Sequence, residues 1–282
     1  MSPGNADQKA FWEEFAAVWV DKQDDLDALL APVLAGVLER AQLQTGQRVL
    51  DIGCGTGTST IHAAQAVGTD GHVVGADISA PMLERARTVA GDMPHVSFET
   101  ADVAEYPFEP AFFDHVISRF GVMFFADPDA AFANILTSVR PRGRLTMACW
   151  SQLDKNPWFH VPMYAAKKRL GAPPPVDPDD PGPLAFRNTD RVIRILENAG
   201  YIDIKAEAVS LLLTPAGDLD HVASHATSIG PAARTIEFFE AAPEDVKAIA
   251  AEVATGFADY ATPNGVHVPA EINFYTATAP RH

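Results

Sequence analysis

A group of closely spaced glycines follows an apolar run near residue 50. The segment VLDIGCGTG places Gly53, Gly55 and Gly57 shortly after Asp51. Glycine adopts backbone conformations closed to other residues and lets a ligand approach the chain closely. A dinucleotide-binding loop needs a glycine where this chain has Thr58. Because the carboxylate of Asp51 disfavours a pyrophosphate at the following helix terminus, the pattern favours a ligand with positive charge, such as S-adenosylmethionine.

Two further acids end the next two predicted strands. Asp77 ends HVVGAD, and Asp102 ends VSFETAD. The carboxyl ends of parallel strands meet at one edge of a sheet, so we expect both acids near the glycines. An acid in the place of Asp77 can accept hydrogen bonds from two ribose hydroxyls, and Asp102 can accept one from an adenine amino group. The apolar neighbours that can enclose a purine are Ile78, Met82 and Val103.

An alternation of strands and helices from residue 45 onward positions these residues. It predicts an α/β fold with a doubly wound, mostly parallel sheet. Before it, residues 10–30 are predicted to form an amphipathic helix, with a break at Pro32. Near the end, residues 218–260 are predicted to form two or three helices inserted as a cap between the last two strands. The expected organisation is one structural domain with N-terminal lid helices (1–44), a cofactor-binding core (45–150), and the rest of the sheet with the cap (151–282).

Composition disfavours several functional classes. The net charge of −16 argues against nucleic-acid partners and anionic membranes, which both need clustered positive charge. No apolar run is long enough to span a bilayer, and the first ten residues lack the apolar centre of a signal peptide. Cys54 and Cys149 form no Cys-x-x-Cys pair. We therefore expect a cytoplasmic protein without bound metal, and the pattern leaves its oligomeric state open, a homo-oligomer included.

Five segments carry a resemblance to a known family. VLDIGCGTG, VVGADIS, ADVAEYPF, FFDHVISRFGVMFFADP and SVRPRGRLTMACW resemble, in order and spacing, the motif series of class I S-adenosylmethionine-dependent methyltransferases. They are most similar to the branch that includes the ubiquinone/menaquinone-biosynthesis C-methyltransferases. The resemblance is strong over residues 45–150 and weaker elsewhere. It implies a seven-stranded sheet in the order 3-2-1-4-5-7-6, with the last strand antiparallel.

The resemblance also implies roles for individual positions. The glycine loop would hold the methionine part of S-adenosylmethionine, Asp77 its ribose and Asp102 its adenine. The residues after the fourth strand would line the place where the methyl group leaves. The complete set implied in cofactor binding is Trp19, Gln23, Asp51, Gly53, Cys54, Gly55, Gly57, Asp77, Ile78, Met82, Ala101, Asp102, Val103, Ser118, Arg119 and Phe120.

The residues that could handle the acceptor form no strong catalytic pair. Methyl transfer depends mainly on alignment of the acceptor with the sulfur, and it needs a base only if the acceptor atom keeps its proton. His160 and Tyr164 share a helix face, as do His221 and His225. The histidine pair lacks the glutamate of a His-Glu-x-x-His zinc motif, so no metal is expected. The weak catalytic candidates are His160, Tyr164, His225 and Arg119.

The sequence therefore predicts methyl transfer from S-adenosylmethionine to a small-molecule acceptor by in-line displacement. One alternative is a protein that binds the same cofactor for a pericyclic or regulatory role, with no methyl transfer. A nicotinamide-dependent oxidoreductase is the other, although the early third glycine argues against it. The helix that carries Trp19 and Gln23 is expected to order over the cofactor. Carbon, oxygen, nitrogen and sulfur acceptors all stay open.

Overall fold

A seven-stranded sheet forms the centre of the computed structural model, which describes residues 3–281. The strands in chain order are β1 (Arg48–Ile52), β2 (His72–Asp77), β3 (Val96–Thr100), β4 (Phe113–Arg119), β5 (Val139–Trp150), β6 (Ile202–Leu213), β7 (Ala261–Thr262), β8 (Gly265–Val266) and β9 (Val268–Thr278). The large sheet has the order β3-β2-β1-β4-β5-β9-β6, and β7 pairs with β8 alone. Because β9 is the seventh strand of the large sheet and lies antiparallel to β5 and β6, the predicted order is confirmed.

Helices flank this sheet and follow its strands in chain order. They are α1 (Pro3–Asp21), α2 (Gln23–Ala41), α3 (Thr58–Val67), α4 (Ala80–Ala90), α5 (Pro128–Ser138), α6 (Pro157–Leu170), α7 (Thr189–Ala199), α8 (Leu219–Thr227), α9 (Gly230–Phe238) and α10 (Pro243–Phe257). Helices α8, α9 and α10 lie between β6 and β9 in the chain and pack against α6. The predicted helical cap between the last two strands is therefore confirmed. Met1, Ser2 and His282, at the ends of the predicted segments 1–44 and 151–282, lie outside the described residues.

The break in the N-terminal helices lies at Lys22, so the predicted break at Pro32 is wrong. Pro32 lies inside α2, where it removes the N–H that would bond to the carbonyl of Ala28. Thr214 replaces that bond: its hydroxyl donates to the Ala28 carbonyl at 2.7 Å. Its backbone N–H also donates to the carbonyl of Leu29 at 3.3 Å. A tertiary contact thus lets the helix continue through the proline.

Parallel pairing brings the ends of the central strands to one edge of the sheet. Asp51 on β1 is in register with Gly75 on β2 and Ile117 on β4. All of β1 after its first residue is buried: the strand lies between β2 and β4 in the sheet, and α3 packs against it. The loops that follow β1, β2 and β4 therefore start close together. No helix among residues 3–281 combines the length and apolar character needed to cross a membrane.

Candidate cofactor and active site

A cavity of about 140 Å³ lies at the carboxyl ends of β1, β2 and β4. Its wall includes the glycine loop, the end of β2, the segment after β3, the turn after β4 and part of α1. Most of the sequence-predicted cofactor residues come together in this wall. Those that line the cavity are Trp19, Gly53, Gly55, Asp77, Ile78, Met82, Ala101, Asp102, Val103, Arg119 and Phe120.

The remaining predicted cofactor residues do not line the cavity and are all buried; they are Gln23, Asp51, Cys54, Gly57 and Ser118. Two of them make contacts that fix neighbouring elements. The hydroxyl of Ser118 donates to the carbonyl of Ile52 at 2.8 Å, which joins the ends of β4 and β1. The amide oxygen of Gln23 accepts a 2.7 Å hydrogen bond from Arg85, which joins α2 to α4. These two residues support the cavity from outside its lining.

Several lining residues were missed from the sequence, and most of them are apolar. Trp12 lies seven positions before Trp19 on α1, so helical spacing places both indoles on one face. Their rings are 5.5 Å apart, and Trp12 also meets Phe124 edge-on at 4.8 Å. The helical spacing of the two tryptophans could have signalled this. The missed lining residues are Gln8, Trp12, Ile52, Ala76, Gly121, Phe124 and Phe125.

Packing alone accounts for two of the three loop glycines. Gly53 has φ of +63°, and a Cβ on it would lie 2.5 Å from the Cα of Gly121, in the turn after β4. A Cβ on Gly57 would lie 2.9 Å from that of Ala86 on α4. Gly55 has φ of +54° and would meet only the sulfur of Met82, at an ordinary 3.6 Å. Positive φ explains all three glycines, but only Gly55 combines it with open space at the cavity wall.

Asp51 is fully buried and only partly satisfied. Its Oδ2 accepts hydrogen bonds from the hydroxyls of Ser59 at 2.6 Å and Thr60 at 2.7 Å. Its Oδ1 is buried without a hydrogen-bond partner. Burial raises the pKa of Asp51 to about 6, against the opposing effect of the two hydroxyls and the charge of Arg119. The carboxylate therefore carries a charge at pH 7 that the surrounding protein compensates incompletely.

Asp77 is held in place by the backbone on either side of it. Its Oδ2 accepts the N–H of Gly55 at 2.8 Å, and its Oδ1 accepts the N–H of Ser79 at 2.9 Å. Burial raises the pKa of this carboxyl, and the backbone donors oppose that rise. The backbone N–H of Ile78 also acts on this carboxyl. Two carboxylate oxygens offer about four acceptor sites, so capacity remains for a further donor. Asp77 thus both orients the glycine loop and offers acceptors to the cavity.

Arg119 connects the cavity to α2. Its Nη2 lies 3.3 Å from Oδ1 of Asp27, whose Oδ2 accepts a 2.7 Å hydrogen bond from the hydroxyl of Thr58. Asp27 therefore joins α2 to both the end of β4 and the start of α3. The Nη1 of Arg119 is buried without a hydrogen-bond partner. Arg119, which lines the cavity, thus keeps one buried donor without a partner, and Asp51, which lies behind the lining just before the glycine loop, keeps one buried acceptor without a partner.

Comparison with known proteins assigns this arrangement to a family. A family model described as a methyltransferase domain matches residues 49–143, which hold the glycine loop, Asp77, Asp102 and Arg119. These residues form a class I methyltransferase domain. The domain belongs to the S-adenosylmethionine-dependent class, as its motif series implied.

Relatives of the methyltransferase domain include enzymes with different named acceptor atoms. A ubiquinone/menaquinone biosynthesis C-methyltransferase of Pseudomonas aeruginosa is 37% identical over 122 residues, which cover 42% of this chain and 48% of that protein. The O-methyltransferase cnsE of Penicillium expansum is 32% identical over 174 residues, covering 60% of this chain and 59% of that protein. The chain thus spans about half the length of the relatives it matches.

A solved structure shares the fold of the methyltransferase domain over a longer stretch. Phosphoethanolamine N-methyltransferase 2 of Haemonchus contortus, in complex with phosphomonomethylethanolamine and S-adenosylhomocysteine, superposes with a TM-score of 0.54. The match covers 88% of this chain and 52% of that one, at 22% identity. At this level of identity the likeness concerns the fold alone.

Of the weak catalytic candidates, only Arg119 lines the cavity of the methyltransferase domain. His160 and Tyr164 share a face of α6 with rings 5.9 Å apart, but Tyr164 is exposed to solvent. His225 lies on α8, buried against Trp158. Burial lowers the pKa of His225 to about 4, so it is neutral at pH 7. Among the described residues that line the cavity, none is a histidine, cysteine or lysine.

Proposed function

We propose that this protein transfers a methyl group from S-adenosylmethionine to a small-molecule acceptor. The observation that carries the proposal is the unsatisfied pair of buried polar atoms beside the glycine loop, Oδ1 of Asp51 and Nη1 of Arg119. A buried polar group without a partner is costly, so a native structure that keeps two of opposite character has a reason for them. A ligand with an ammonium and a carboxylate supplies both missing partners.

The methionine end of S-adenosylmethionine is such a ligand. Its ammonium would lie with Asp51, whose free oxygen accepts hydrogen bonds, and its carboxylate with Arg119, whose free nitrogen donates them. A nicotinamide dinucleotide offers a pyrophosphate at this loop instead, which the charge of Asp51 disfavours. The two unsatisfied groups therefore support S-adenosylmethionine over the nicotinamide alternative.

The other acids fit the nucleoside part of the same cofactor. Asp77 keeps acceptor capacity after the backbone donors of Gly55, Ser79 and Ile78, which suits a ribose hydroxyl. Asp102 lines the cavity next to Val103, and Ile78 and Met82 supply an apolar wall. Bound S-adenosylmethionine supplies an activated methyl group on its sulfonium. The residues of this chain bind and orient that group, and the absence of a histidine, cysteine or lysine among the described lining residues supports catalysis by alignment and exclusion of water.

We propose that α1 acts as a lid over a core of residues 45–150. The other helix of the predicted lid segment 1–44, α2, packs into the hydrophobic core and stays in place. The cavity of about 140 Å³ is smaller than the roughly 300 Å³ at which ligand pockets usually begin. Trp12 and Trp19 supply part of its wall, and the carbonyl of Trp12 accepts a single 3.3 Å hydrogen bond from the hydroxyl of Ser79. A helix that covers a small cavity and packs mainly on one neighbour, here α4, can move outward to admit a cofactor and then close over it.

Limited trypsin digestion tests the lid, because Lys9 and Lys22 bracket the two tryptophans. We expect added S-adenosylhomocysteine to slow cleavage at these two lysines more than cleavage at Lys247 on the cap helix α10. Equal rates with and without the ligand would remove the support for a lid.

The activity is tested in two steps that separate the alternatives. Titration calorimetry with S-adenosylhomocysteine and with the reduced nicotinamide dinucleotide should show binding of the first only. The protein is then supplied with S-adenosylmethionine and screened against phenols, quinols, amines, thiols and carbon acids, with formation of S-adenosylhomocysteine as the readout. Turnover with one acceptor class supports the proposal. Tight binding with no turnover across the screen would favour the pericyclic or regulatory alternative instead.

The acceptor is expected to be small and largely apolar. Outside the predicted cofactor residues, the cavity wall includes three aromatic side chains, Trp12, Phe124 and Phe125, and one polar side chain, Gln8. A net charge of −16 disfavours nucleic-acid acceptors. Aromatic and other apolar side chains commonly line sites that bind an apolar molecule and exclude water from it.

A further inference from the structure

Two histidines and an aspartate converge between α2 and the cap helix α8, away from the residues that line the cofactor cavity. His221 Nε2 lies 2.9 Å from Oδ2 of Asp25, and His225 Nδ1 lies 3.9 Å from the same oxygen. Each side chain offers one ligand atom, and the three atoms lie within 4.8 Å of one another. His221 and His225 are one helical turn apart, so both rings project from the same face of α8.

The burial of the cluster favours a ligand more than a simple surface ion pair. His225 is 5% exposed, and its Nδ1 is the ring nitrogen that faces the carboxylate of Asp25. Asp25 is partly buried, whereas the side chain of His221 is half exposed. A ligand from solvent can therefore reach the cluster past His221. The ring of His225 packs edge-on against Trp158, with ring centres 5.8 Å apart, which limits its movement.

We propose that Asp25, His221 and His225 bind one divalent transition-metal ion of the zinc class, which braces the cap helix α8 against α2. Two imidazoles and a carboxylate are ligands that zinc prefers, and three protein ligands leave its fourth position for water. The proposal is independent of methyl transfer, because none of the three residues lines the cofactor cavity.

Modest side-chain rotation would complete the geometry. Ligand atoms about 2.0–2.1 Å from a tetrahedral zinc lie about 3.3–3.4 Å from each other. The 2.9 Å pair must therefore open slightly and the 3.9 Å pair must close slightly, and the two histidine nitrogens, now within 4.8 Å of each other, must reach the same separation. Asp25 and His221 are the two more exposed members and can move by this amount, while His225 keeps its place in the core of the cap.

Lys22 provides an internal check on the proposal. It immediately precedes α2, its charge acts on both Asp25 and His225, and its ammonium donates to the hydroxyl of Ser228. A cation in the cluster would be repelled by this ammonium. Lys22→Gln should therefore bind the metal more tightly than the unmodified chain. A plain His–Asp hydrogen bond gives no reason for any metal affinity in that variant.

The test uses the full chain, freed of metal by a chelator and titrated with zinc chloride against a chromophoric competitor. We expect one zinc per chain, an absorption spectrum of tetrahedral coordination with cobalt(II), and a higher Tm with zinc. Loss of an outer-shell partner alone costs a site about 10–100-fold in affinity. His221→Ala and Asp25→Asn should therefore each weaken zinc binding at least 100-fold and abolish the rise in Tm, whereas His62→Ala, on the exposed face of α3, should change neither.

His221 and Asp25 are chosen because they are more exposed than His225, so their variants keep the core of the cap intact. Circular dichroism and the Tm without zinc establish that each variant is folded. Equal zinc affinity in His221→Ala and the unmodified chain would overturn the proposal, and so would the absence of stoichiometric binding. Weaker binding by Lys22→Gln than by the unmodified chain would also contradict it.

Discussion

Asp51→Asn is expected to make the cofactor-free protein more stable than the unmodified protein with Asp51 ionised, and to weaken cofactor binding. The carboxylate is fully buried, and burial raises its pKa from 3.8 to about 6. A shift of this size corresponds to about 3 kcal/mol, at 1.36 kcal/mol per pKa unit. The asparagine keeps an oxygen that can accept the hydroxyl bonds of Ser59 and Thr60, but it carries no charge. The amide NH2 group of the asparagine would take the place of Oδ1, where no protein acceptor is available. A buried donor without a partner costs free energy, so part of the gain in stability is lost.

The sign of the pH dependence follows from the raised pKa. Because the folded-state pKa lies above the unfolded one, the contribution of Asp51 to stability is fully present below pH 3.8 and is lost as pH rises through about 6. The free energy of unfolding of the unmodified protein should therefore contain a fall of about 3 kcal/mol across this window. Asp51→Asn should lack that component. Urea unfolding at several pH values measures the difference.

Binding of S-adenosylhomocysteine should depend on pH in the opposite sense. Its ammonium favours the ionised carboxylate, of which about one part in eleven is present at pH 5 and about nine in ten at pH 7, for a pKa of about 6. Affinity should thus rise about tenfold between these two pH values. In Asp51→Asn this rise should shrink, and the Kd at pH 7 should increase about 10–150-fold through loss of one charge-assisted hydrogen bond.

Calorimetric titration at both pH values provides the assay, with unfolding curves as the check on folding. The reasoning is refuted if Asp51→Asn binds S-adenosylhomocysteine at pH 7 within twofold of the unmodified chain. It is also refuted if the two proteins show the same change of stability between pH 4 and pH 6.

Three further substitutions test other parts of the structure. Asp77→Ala should weaken binding of S-adenosylhomocysteine by about 1.5–3 kcal/mol for each lost charge-assisted hydrogen bond, and an unchanged Kd would reject its contact with the ribose. Asp27→Ala removes the bonds from α2 to Arg119 and Thr58, so it should raise the Kd and speed tryptic cleavage, whereas the exposed Asp24→Ala on the same helix should do neither. Thr214→Val removes the hydroxyl that donates to the Ala28 carbonyl, the carbonyl that Pro32 leaves without its helical partner. The free energy of unfolding, measured with urea, should fall by about 1–3 kcal/mol. Full stability in that variant would show that the proline needs no tertiary compensation.

The order of the strands and most of the cavity wall could be predicted from the sequence. The alternation of buried strands and helices is a local pattern, and parallel pairing then brings strand ends to one edge. Gly55, Asp77 and Asp102 lie in that wall because each follows directly from the end of a strand. Predicting such positions requires only the order of the strands and helices along the chain and their periodicity, and a single sequence contains both.

Contacts between distant parts of the chain were decided only by the tertiary structure. Thr214 lies 186 positions from the carbonyl that it satisfies, so α2 passes Pro32 against the local signal. Gly53 is required by the backbone of Gly121 in another loop, and the convergence of Asp25 with His221 spans 196 positions. The periodicity of a sequence predicts which face of a helix or strand is buried, but it does not predict which atoms of distant residues contact that face. Local sequence therefore determined the sheet and the acids at its edge, whereas tertiary packing determined which polar atoms are satisfied and which are left for a ligand.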